Sequence, residues 1–176
     1  MKYILMCEGA NELEIINILL ENNKLKLNRD DLLGLVPYHA RQLDKCMQIQ
    51  TVWKMYADKA IIYRIGDKLS DVLRVPKDFK KWLVCVEKYC TLPELEILLI
   101  ISEGKYQDYI KNKSQIRAKE YAKKNICYNR KWYDNSSSFY REYYKNPDKL
   151  ISAINEYYRL HKSHKKDEGY LAELLQ

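Results

Sequence analysis

Short apolar runs alternate with helical segments along the first hundred residues, and this alternation constrains the fold more strongly than any other feature of the sequence. Four runs have the length of a buried strand: residues 3–7, 32–36, 60–65 and 82–86. Apolar residues at helical spacing follow three of these runs: residues 11–22, 41–57 and 95–103. Strands that alternate with helices through short turns pair in parallel. We therefore predict an α/β fold with a small, mainly parallel four-stranded sheet and flanking helices.

The sequence changes character after residue 104. Helices are predicted at 106–124, 138–145 and 147–162, followed by a short amphipathic stretch at 168–176. The chain has 176 residues, of which 47% are hydrophobic, and its length is close to that of one domain. We accordingly predict an α/β domain at 1–104 and a basic, Tyr-rich helical extension at 105–176 that packs on it.

Several classes of protein are disfavoured by what the sequence lacks. The longest apolar run, residues 97–101, is far shorter than the roughly 18 residues of a membrane span, so we expect no membrane partner. Glu8 interrupts the first apolar run, and we expect no secretory leader. The five cysteines are odd in number and lack C-x-x-C spacing, which favours free thiols in the cytoplasm. Glycine-rich phosphate loops are also missing.

Positive charge is concentrated in one segment. The net charge is +7, and residues 105–131 alone contain nine Lys or Arg against two acids. Tyr and Trp residues lie between these charges, in a chain with 16 Tyr and 2 Phe. The pattern suits a nucleic acid, because cations bind phosphates and aromatic rings stack on bases. The alternative is a solvated helix whose Tyr rings pack on the core. The candidate nucleic-acid-binding residues are Lys111, Lys113, Arg117, Lys119, Lys123, Lys124, Arg130 and Lys131.

Acidic residues follow the ends of the predicted strands. Glu8 ends the first strand, Asp67 ends the third, and Asp71 lies four residues further on. Glu94 and Glu96 begin the helix after the fourth strand. Ligands of open parallel sheets bind beyond the carboxyl ends of the strands, and carboxylates gathered there bind Mg²⁺ or Mn²⁺. The alternative is that these acids are exposed turn residues or interact favourably with helix N-termini.

The opening of the chain resembles the Toprim domain that topoisomerases, primases and the overcoming-lysogenization-defect nucleases share. The resemblance covers about residues 1–101 and lies in an apolar strand, Glu8-Gly9 and a helix containing Glu12. It implies a Rossmann-like sheet and a catalytic or metal-linked role for Glu8. It also implies an acidic pair at Asp67 and Asp71, although the family has Asp-x-Asp and these two residues are four apart.

A second segment extends the resemblance to the effectors of bacterial anti-phage systems. Residues 95–99, Leu-Glu-Ile-Leu-Leu, are similar to an Ile-Glu-Asn-Tyr-Leu-type motif of Toprim effectors, with Ile97 in place of Asn. The resemblance therefore implies a metal-dependent nuclease acting on DNA or RNA in phage defence. Glu8, Asp67 and Asp71 would be catalytic, and these three with Glu96 would bind Mg²⁺ or Mn²⁺.

Two non-enzymatic interpretations stay open. A degenerate Toprim-like fold would bind nucleic acid or a partner protein, such as an ATPase, without turnover. A homo-oligomer would use the Tyr-rich helices as its interface, because Tyr is enriched at interfaces. The geometry of the acids separates these cases: converging carboxylates indicate an enzyme, whereas carboxylates splayed apart or bound by Lys and Arg indicate a binding protein.

Overall fold

A five-stranded parallel sheet forms the centre of the computed structural model, which describes residues 1–67, 70–91, 95–161 and 168–176. The strands of the sheet are β1 (Lys2–Cys7), β2 (Tyr38–His39), β3 (Ala60–Gly66), β4 (Leu83–Cys90) and β7 (Gly169–Tyr170). Their order is β2-β1-β3-β4-β7, and each pair is parallel. Two short strands form a separate antiparallel hairpin: β5 (Cys127–Tyr128) and β6 (Lys131–Trp132). The predicted α/β fold with a mainly parallel sheet is confirmed.

Seven α-helices connect and cover the strands in the described part of the chain. They are α1 (Ala10–Glu21), α2 (Met47–Tyr56), α3 (Glu96–Ser102), α4 (Tyr106–Asn112), α5 (Ala118–Asn125), α6 (Ser137–Tyr143) and α7 (Pro147–Leu160). The start of α7 follows from its sequence: the Asn146 side chain accepts from the Asp148 N–H, and Pro147 occupies the first turn, where a missing N–H costs nothing. No helix of the described residues is both long enough and apolar enough to cross a membrane.

The two faces of the sheet carry different layers. Successive strand residues point to opposite faces, so Leu5 and Cys7 face one core cluster while Ile4 and Met6 face another. The first cluster is large and contains apolar residues of α1, α3, α5, α6 and α7. The second is smaller and includes Trp53 of α2. Helices on both faces of a parallel sheet define a doubly wound fold.

The second strand differs from the prediction. The sequence predicts it at residues 32–36, but Leu33–Leu35 form a 3-10 turn and the strand is Tyr38–His39. Gly34 has a φ of 73°, which a glycine adopts without strain, and the Tyr38 hydroxyl donates to the Leu33 carbonyl at 2.8 Å. This turn redirects the chain, so that an apolar run of strand length folds as a turn that buries Leu32 and Leu33 and exposes Leu35. The predicted helix at 41–57 begins later, at Met47.

The C-terminal part of the chain was predicted to be helical, but it also contains short strands. The expected helix at 106–124 is divided into α4 and α5, and the β5–β6 hairpin follows. Asn129 and Arg130 have positive φ values, as a tight hairpin turn requires. The stretch at 168–176 contributes β7, whose Tyr170 is aligned with Cys90 of β4. The sheet therefore has five strands rather than four, because a segment distant in sequence completes its edge.

Candidate active site

The carboxyl ends of β1, β3 and β4 lie side by side. Cys7 is aligned with Ile65, and Gly66 with Cys90. The residues that follow these strands are Glu8, Asp67 and Thr91. The strand order reverses between β1 and β3, since β2 lies on one side of β1 and β4 on the far side of β3. Doubly wound sheets bind ligands in the crevice at this kind of switch point, so topology alone selects this edge.

Glu8 lies directly over the end of β3. A Cβ atom placed on Gly66 would be 2.6 Å from Glu8 Oε2 and 2.7 Å from Glu8 Cβ. Separations this short do not occur between non-bonded atoms, so the close approach of Glu8 needs a residue without a side chain at position 66. The Glu8 N–H also donates to the Ile65 carbonyl at 2.8 Å. Glu8 is therefore positioned by β3 as well as by its own strand.

An acidic pocket of about 280 Å³ opens at this edge. The lining residues that concern its chemistry are Glu12, Asp67, Thr91, Glu96, Lys119 and Asn135. Burial raises the pKa of Glu12, and the negative charges of Asp67, Glu8 and Glu96 raise it further, against the opposing effect of a backbone hydrogen bond. Four carboxylates are thus close enough to interact. The surrounding negative charge disfavours the ionised form of Glu12, and a bound cation would offset that charge.

Glu96 is held in place by the C-terminal part of the chain. It is 6% exposed, and the Tyr133 hydroxyl donates to its Oε1 at 2.7 Å while lying 3.1 Å from the Tyr140 hydroxyl. When the Asn135 amide is assigned in the orientation that satisfies both of its polar atoms, its nitrogen donates to Glu96 Oε1 at 3.1 Å and its oxygen accepts from Lys119 Nζ at 2.8 Å. These bonds offset the cost of burying a carboxylate. The site is therefore assembled from both parts of the chain.

Thr91 supplies a buried hydroxyl to the same pocket. It is 7% exposed, and its N–H donates to the Gly66 carbonyl at 2.9 Å. Its Oγ1 atom has no hydrogen-bond partner among the residues that the structure describes. Buried hydroxyls are normally paired, so an unpaired one that lines a polar pocket is consistent with a ligand or water at that position.

Asp71 has a different environment from Asp67. Arg64, which is 3% exposed, binds Asp71 Oδ1 at 2.9 Å and its carbonyl at 2.8 Å, and Gln42 donates to its Oδ2 at 2.6 Å. The Arg64 hydrogen bond holds the pKa of Asp71 below its usual value, with Gln42 and Arg41 acting in the same direction against desolvation. Arg41 also links Asp71, at 3.6 Å, to Glu8, at 3.2 Å.

The predicted acids are thus divided between two neighbouring places. Glu8 and Asp67 follow adjacent strand ends, and Glu96 lines the acidic pocket with Asp67. Asp71 is bound by arginines beside that pocket, and Glu94 lies outside the described residues. Glu12 is a site residue that the sequence analysis placed in the helix of the Toprim-like opening without giving it a role. Its signal was its position in the first turn of α1, directly after the Glu8-Gly9 turn.

The arrangement of the oxygen donors limits the kind of metal ion that the acidic pocket could bind. Among the described residues, no group of three or more His, Cys, Asp or Glu side chains is arranged to hold a metal ion. Mg²⁺ usually keeps several waters and takes one or two carboxylates together with substrate phosphates. The oxygen donors of Glu12 and Asp67 suit Mg²⁺ or Mn²⁺ of this open kind, and they do not form an enclosing cage.

The basic residues of 105–131 lie mostly at the surface. Of the eight candidates, seven are exposed, and Lys119 is half-buried and lines the acidic pocket. Lys123 pairs with Glu120 at 3.4 Å and Lys131 with Asp134 at 3.2 Å. Most of the interleaved Tyr rings are buried or half-buried in the core, whereas Trp132 is 58% exposed. This agrees with the alternative that the Tyr rings pack inside, while the cations remain accessible.

The chain was also compared with known proteins. No family model, no curated protein and no solved structure matches it.

Proposed function

We propose that this chain is a Toprim-like, metal-dependent nuclease that cleaves DNA or RNA at the acidic pocket. One observation carries the proposal: the switch point of a parallel sheet gathers Glu12, Asp67 and Glu96 beside Lys119 and the buried Thr91 hydroxyl. A carboxylate cluster with one ammonium group suits a phosphodiester together with a divalent cation, since the cation opposes the burial and the charge repulsion that raise the pKa of Glu12.

Glu12 and Asp67 are the residues that would hold Mg²⁺ or Mn²⁺, and Glu96 would add negative charge beside them. A bound divalent ion supplies charge neutralisation of the phosphate and a more acidic water. Asp71 is not part of this set, because Arg64 and Gln42 already bind both of its carboxylate oxygens. The resemblance implied that Asp67 and Asp71 form the acidic pair that binds the metal. In this proposal Asp67 and Glu12 form that pair instead.

The remaining polar groups act on the substrate. The ammonium group of Lys119 binds a phosphate oxygen, and the Thr91 hydroxyl donates a hydrogen bond to another. Glu8 accepts the proton of the attacking water, while the P–O bond to the leaving oxygen breaks and that oxygen is protonated from solvent. Exposed lysines and arginines of 105–131 attract the rest of the polyanion. The five cysteines favour a reducing compartment, so we place this activity in the cytoplasm. The resemblance to Toprim effectors of anti-phage systems is the reason that we propose a role in phage defence.

A non-catalytic binding subunit is the second candidate, and two observations favour it. Arg41 pairs with Glu8 at 3.2 Å, and no three-ligand metal group occurs within the described ranges. Carboxylates that are neutralised by arginine do not need a cation. In this case the same fold would bind nucleic acid or an ATPase partner without cleaving anything.

Cleavage and metal binding by matched variants separate the two candidates. Purified protein is incubated with labelled single-stranded DNA, duplex DNA and RNA in Mn²⁺, Mg²⁺ or EDTA, and Mn²⁺ binding is measured by isothermal titration calorimetry. Glu12→Gln and Asp67→Asn remove one charge each at the pocket. Glu120→Gln, an exposed acid on α5, is the control with the same charge change.

The nuclease proposal predicts metal-dependent cleavage by the wild type and by Glu120→Gln. Each pocket variant should lower cleavage at least about 100-fold and weaken Mn²⁺ binding about tenfold or more, as the loss of a metal-site carboxylate or of its orienting partners does. A wild type that binds nucleic acid but cleaves none of the three substrates in either metal would support the binding subunit instead.

A further inference from the structure

A second polar depression lies beside the acidic pocket and has the opposite charge. It has a volume of about 500 Å³, and we call it the basic cleft. Its charged lining residues are Arg41, Lys45, Arg74 and Asp71, and His39 lines it as well. His39 ends β2, so the cleft lies at the same carboxyl edge of the sheet, on the β2 side of β1.

The balance of charge in the basic cleft is positive. Arg41, Lys45 and Arg74 line it, against the single lining acid Asp71. Asp71 is already shared with the buried Arg64 at 2.9 Å. Among the described residues, no carboxylate lies within ion-pair distance of Lys45, which is exposed. Arg41 and Arg74 pair with Glu8 and Asp44, so the excess positive charge that the cleft presents to a ligand is that of Lys45.

Hydrogen bonds hold the cationic residues of the cleft in place. Gln42, which is 8% exposed, accepts from the Arg74 backbone N–H at 2.8 Å and donates to Asp71 at 2.6 Å. Arg74 Nε donates to Asp44 at 2.7 Å. Arg64 donates to the Arg41 carbonyl at 3.4 Å. A cationic site whose backbone and guanidinium groups are already oriented loses little entropy when an anion binds.

Arg41 joins the basic cleft to the acidic pocket. Its Nη1 atom lies 3.2 Å from Glu8 Oε1 and its Nε atom 3.6 Å from Asp71 Oδ2, while Glu8 interacts electrostatically with Glu12. Lys119 lines the acidic pocket together with Thr91, which follows β4. Along the sheet edge the basic cleft is thus followed by the acidic pocket, which has Lys119 among its lining residues.

We propose that the basic cleft binds a phosphate group of the nucleic-acid strand whose scissile phosphodiester lies in the acidic pocket. Arginine and lysine around a cleft of this size match a phosphate, because guanidinium groups bind its oxygens in a bidentate manner and ammonium groups add charge. The inference rests on the proposed nuclease function for the identity of the strand. It assigns a binding role to residues outside the basic 105–131 segment.

Strand binding without metal tests the cleft separately from cleavage. Fluorescence anisotropy in EDTA measures the affinity for a short single-stranded DNA with a 5′-phosphate and for the same DNA with a 5′-hydroxyl, over a range of salt concentrations. Lys45→Ala combined with Arg74→Ala removes two cations from the cleft. Lys59→Ala combined with Lys80→Ala removes two exposed cations that precede β3 and β4 at the opposite edge, and it is the matched control.

The cleft variant should bind about tenfold more weakly, and the slope of log affinity against log salt should fall by about 0.7 for each phosphate that the protein no longer neutralises. The control variant should keep the wild-type slope. A weakening confined to the 5′-phosphorylated strand identifies a terminal phosphate as the bound group, and an equal weakening for both strands identifies a backbone phosphate.

Lys45→Glu provides a second variant, because Lys45 is exposed and its reversal disturbs no described ion pair. Circular dichroism confirms folding of each variant. Wild-type affinity and slope in both cleft variants would overturn the inference, even if the protein cleaves nucleic acid. Conversely, if the protein cleaves nothing but its affinity for the strand depends on the cleft, the phosphate-binding inference holds and only the nuclease proposal fails.

Discussion

Tyr133→Phe deletes one oxygen atom from the support of the acidic pocket. The Tyr133 hydroxyl donates to Glu96 Oε1 at 2.7 Å and lies 3.1 Å from the Tyr140 hydroxyl, and Tyr133 is 2% exposed. Phe keeps the ring and its T-shaped packing against Phe139 and Tyr140. The change therefore leaves a buried carboxylate with one donor fewer and leaves the packing of the core unaltered.

The loss of stability follows from the kinds of hydrogen bond that are removed. A hydrogen bond to a charged group contributes about 1.5–3 kcal/mol, and a neutral one about 0.5–1.5 kcal/mol. Asn135 still donates to Glu96, so we expect a fall of about 2–3 kcal/mol in the free energy of unfolding. For a chain of this length that corresponds to a Tm about 4–12 °C lower. Mn²⁺ affinity should fall about tenfold, because Glu96 loses an orienting partner.

Thermal melts and Mn²⁺ titrations measure both effects, with Tyr158→Phe as the control. Tyr158 is 45% exposed and packs against Tyr170, so the loss of its hydroxyl should change stability by less than about 0.5 kcal/mol. Equal Tm values for the two variants would refute the reasoning, since Glu96 would then not depend on Tyr133. A lower Tm with unchanged Mn²⁺ affinity would keep the structural role and remove Glu96 from the metal site.

Three further predictions concern the same edge of the sheet. Glu12→Gln should be more stable than the wild type at about pH 8 and not at about pH 4. The pKa of Glu12 is raised from 4.5 in the folded state, so the folded protein holds this proton more tightly than the unfolded chain does. The wild type therefore loses stability as pH rises above 4.5 through the raised pKa. Melts across this range should show the difference, and added Mn²⁺ should reverse the order at high pH. Gly66→Ala should lower the free energy of unfolding by about 1–3 kcal/mol and weaken Mn²⁺ binding, because the new methyl group displaces Glu8. An unchanged Tm in a thermal melt would show that Glu8 does not lie over β3. Asp71→Asn should lower the free energy of unfolding by about 1.5–3 kcal/mol, because Arg64 loses its charged partner. Mn²⁺ affinity should stay within about twofold of the wild type. A large loss of Mn²⁺ affinity in calorimetry would show that Asp71 belongs to the metal site.

The sequence predicted the framework of the fold because local patterns encode it. Apolar runs of strand length at residues 3–7 and 60–65, separated by helical periodicity, indicate strands that pair in parallel. Parallel strands place their carboxyl ends at one edge, so the pattern alone predicts that Glu8 and Asp67 lie at the same edge of the sheet. These expectations depend on the lengths of apolar runs and on the 3.6-residue period of a helix, which are properties of the chain itself.

The use of the tyrosines could not be predicted in the same way. Interleaving with lysines suggested base stacking, but Tyr121 donates to Asp108, Tyr133 to Glu96 and Tyr143 to Glu103. Each hydroxyl gives a carboxylate a partner inside or at the edge of the core, which a phenylalanine could not do. No local pattern indicates such pairs, because Tyr133 and Glu96 are separated by 37 residues.

Tertiary structure alone decided which acids belong together. Asp67 and Asp71 are close in sequence, yet Asp71 turns to the buried Arg64 while Asp67 lines the acidic pocket with Glu96 and Lys119. The same holds for Gly169–Tyr170, which becomes a strand because Cys90 and Tyr89 offer it an edge. Sequence spacing determines which face of an element a side chain occupies, but the partner on that face is supplied by another element. That choice depends on the packing of the whole core, where many small interactions are summed over distant segments.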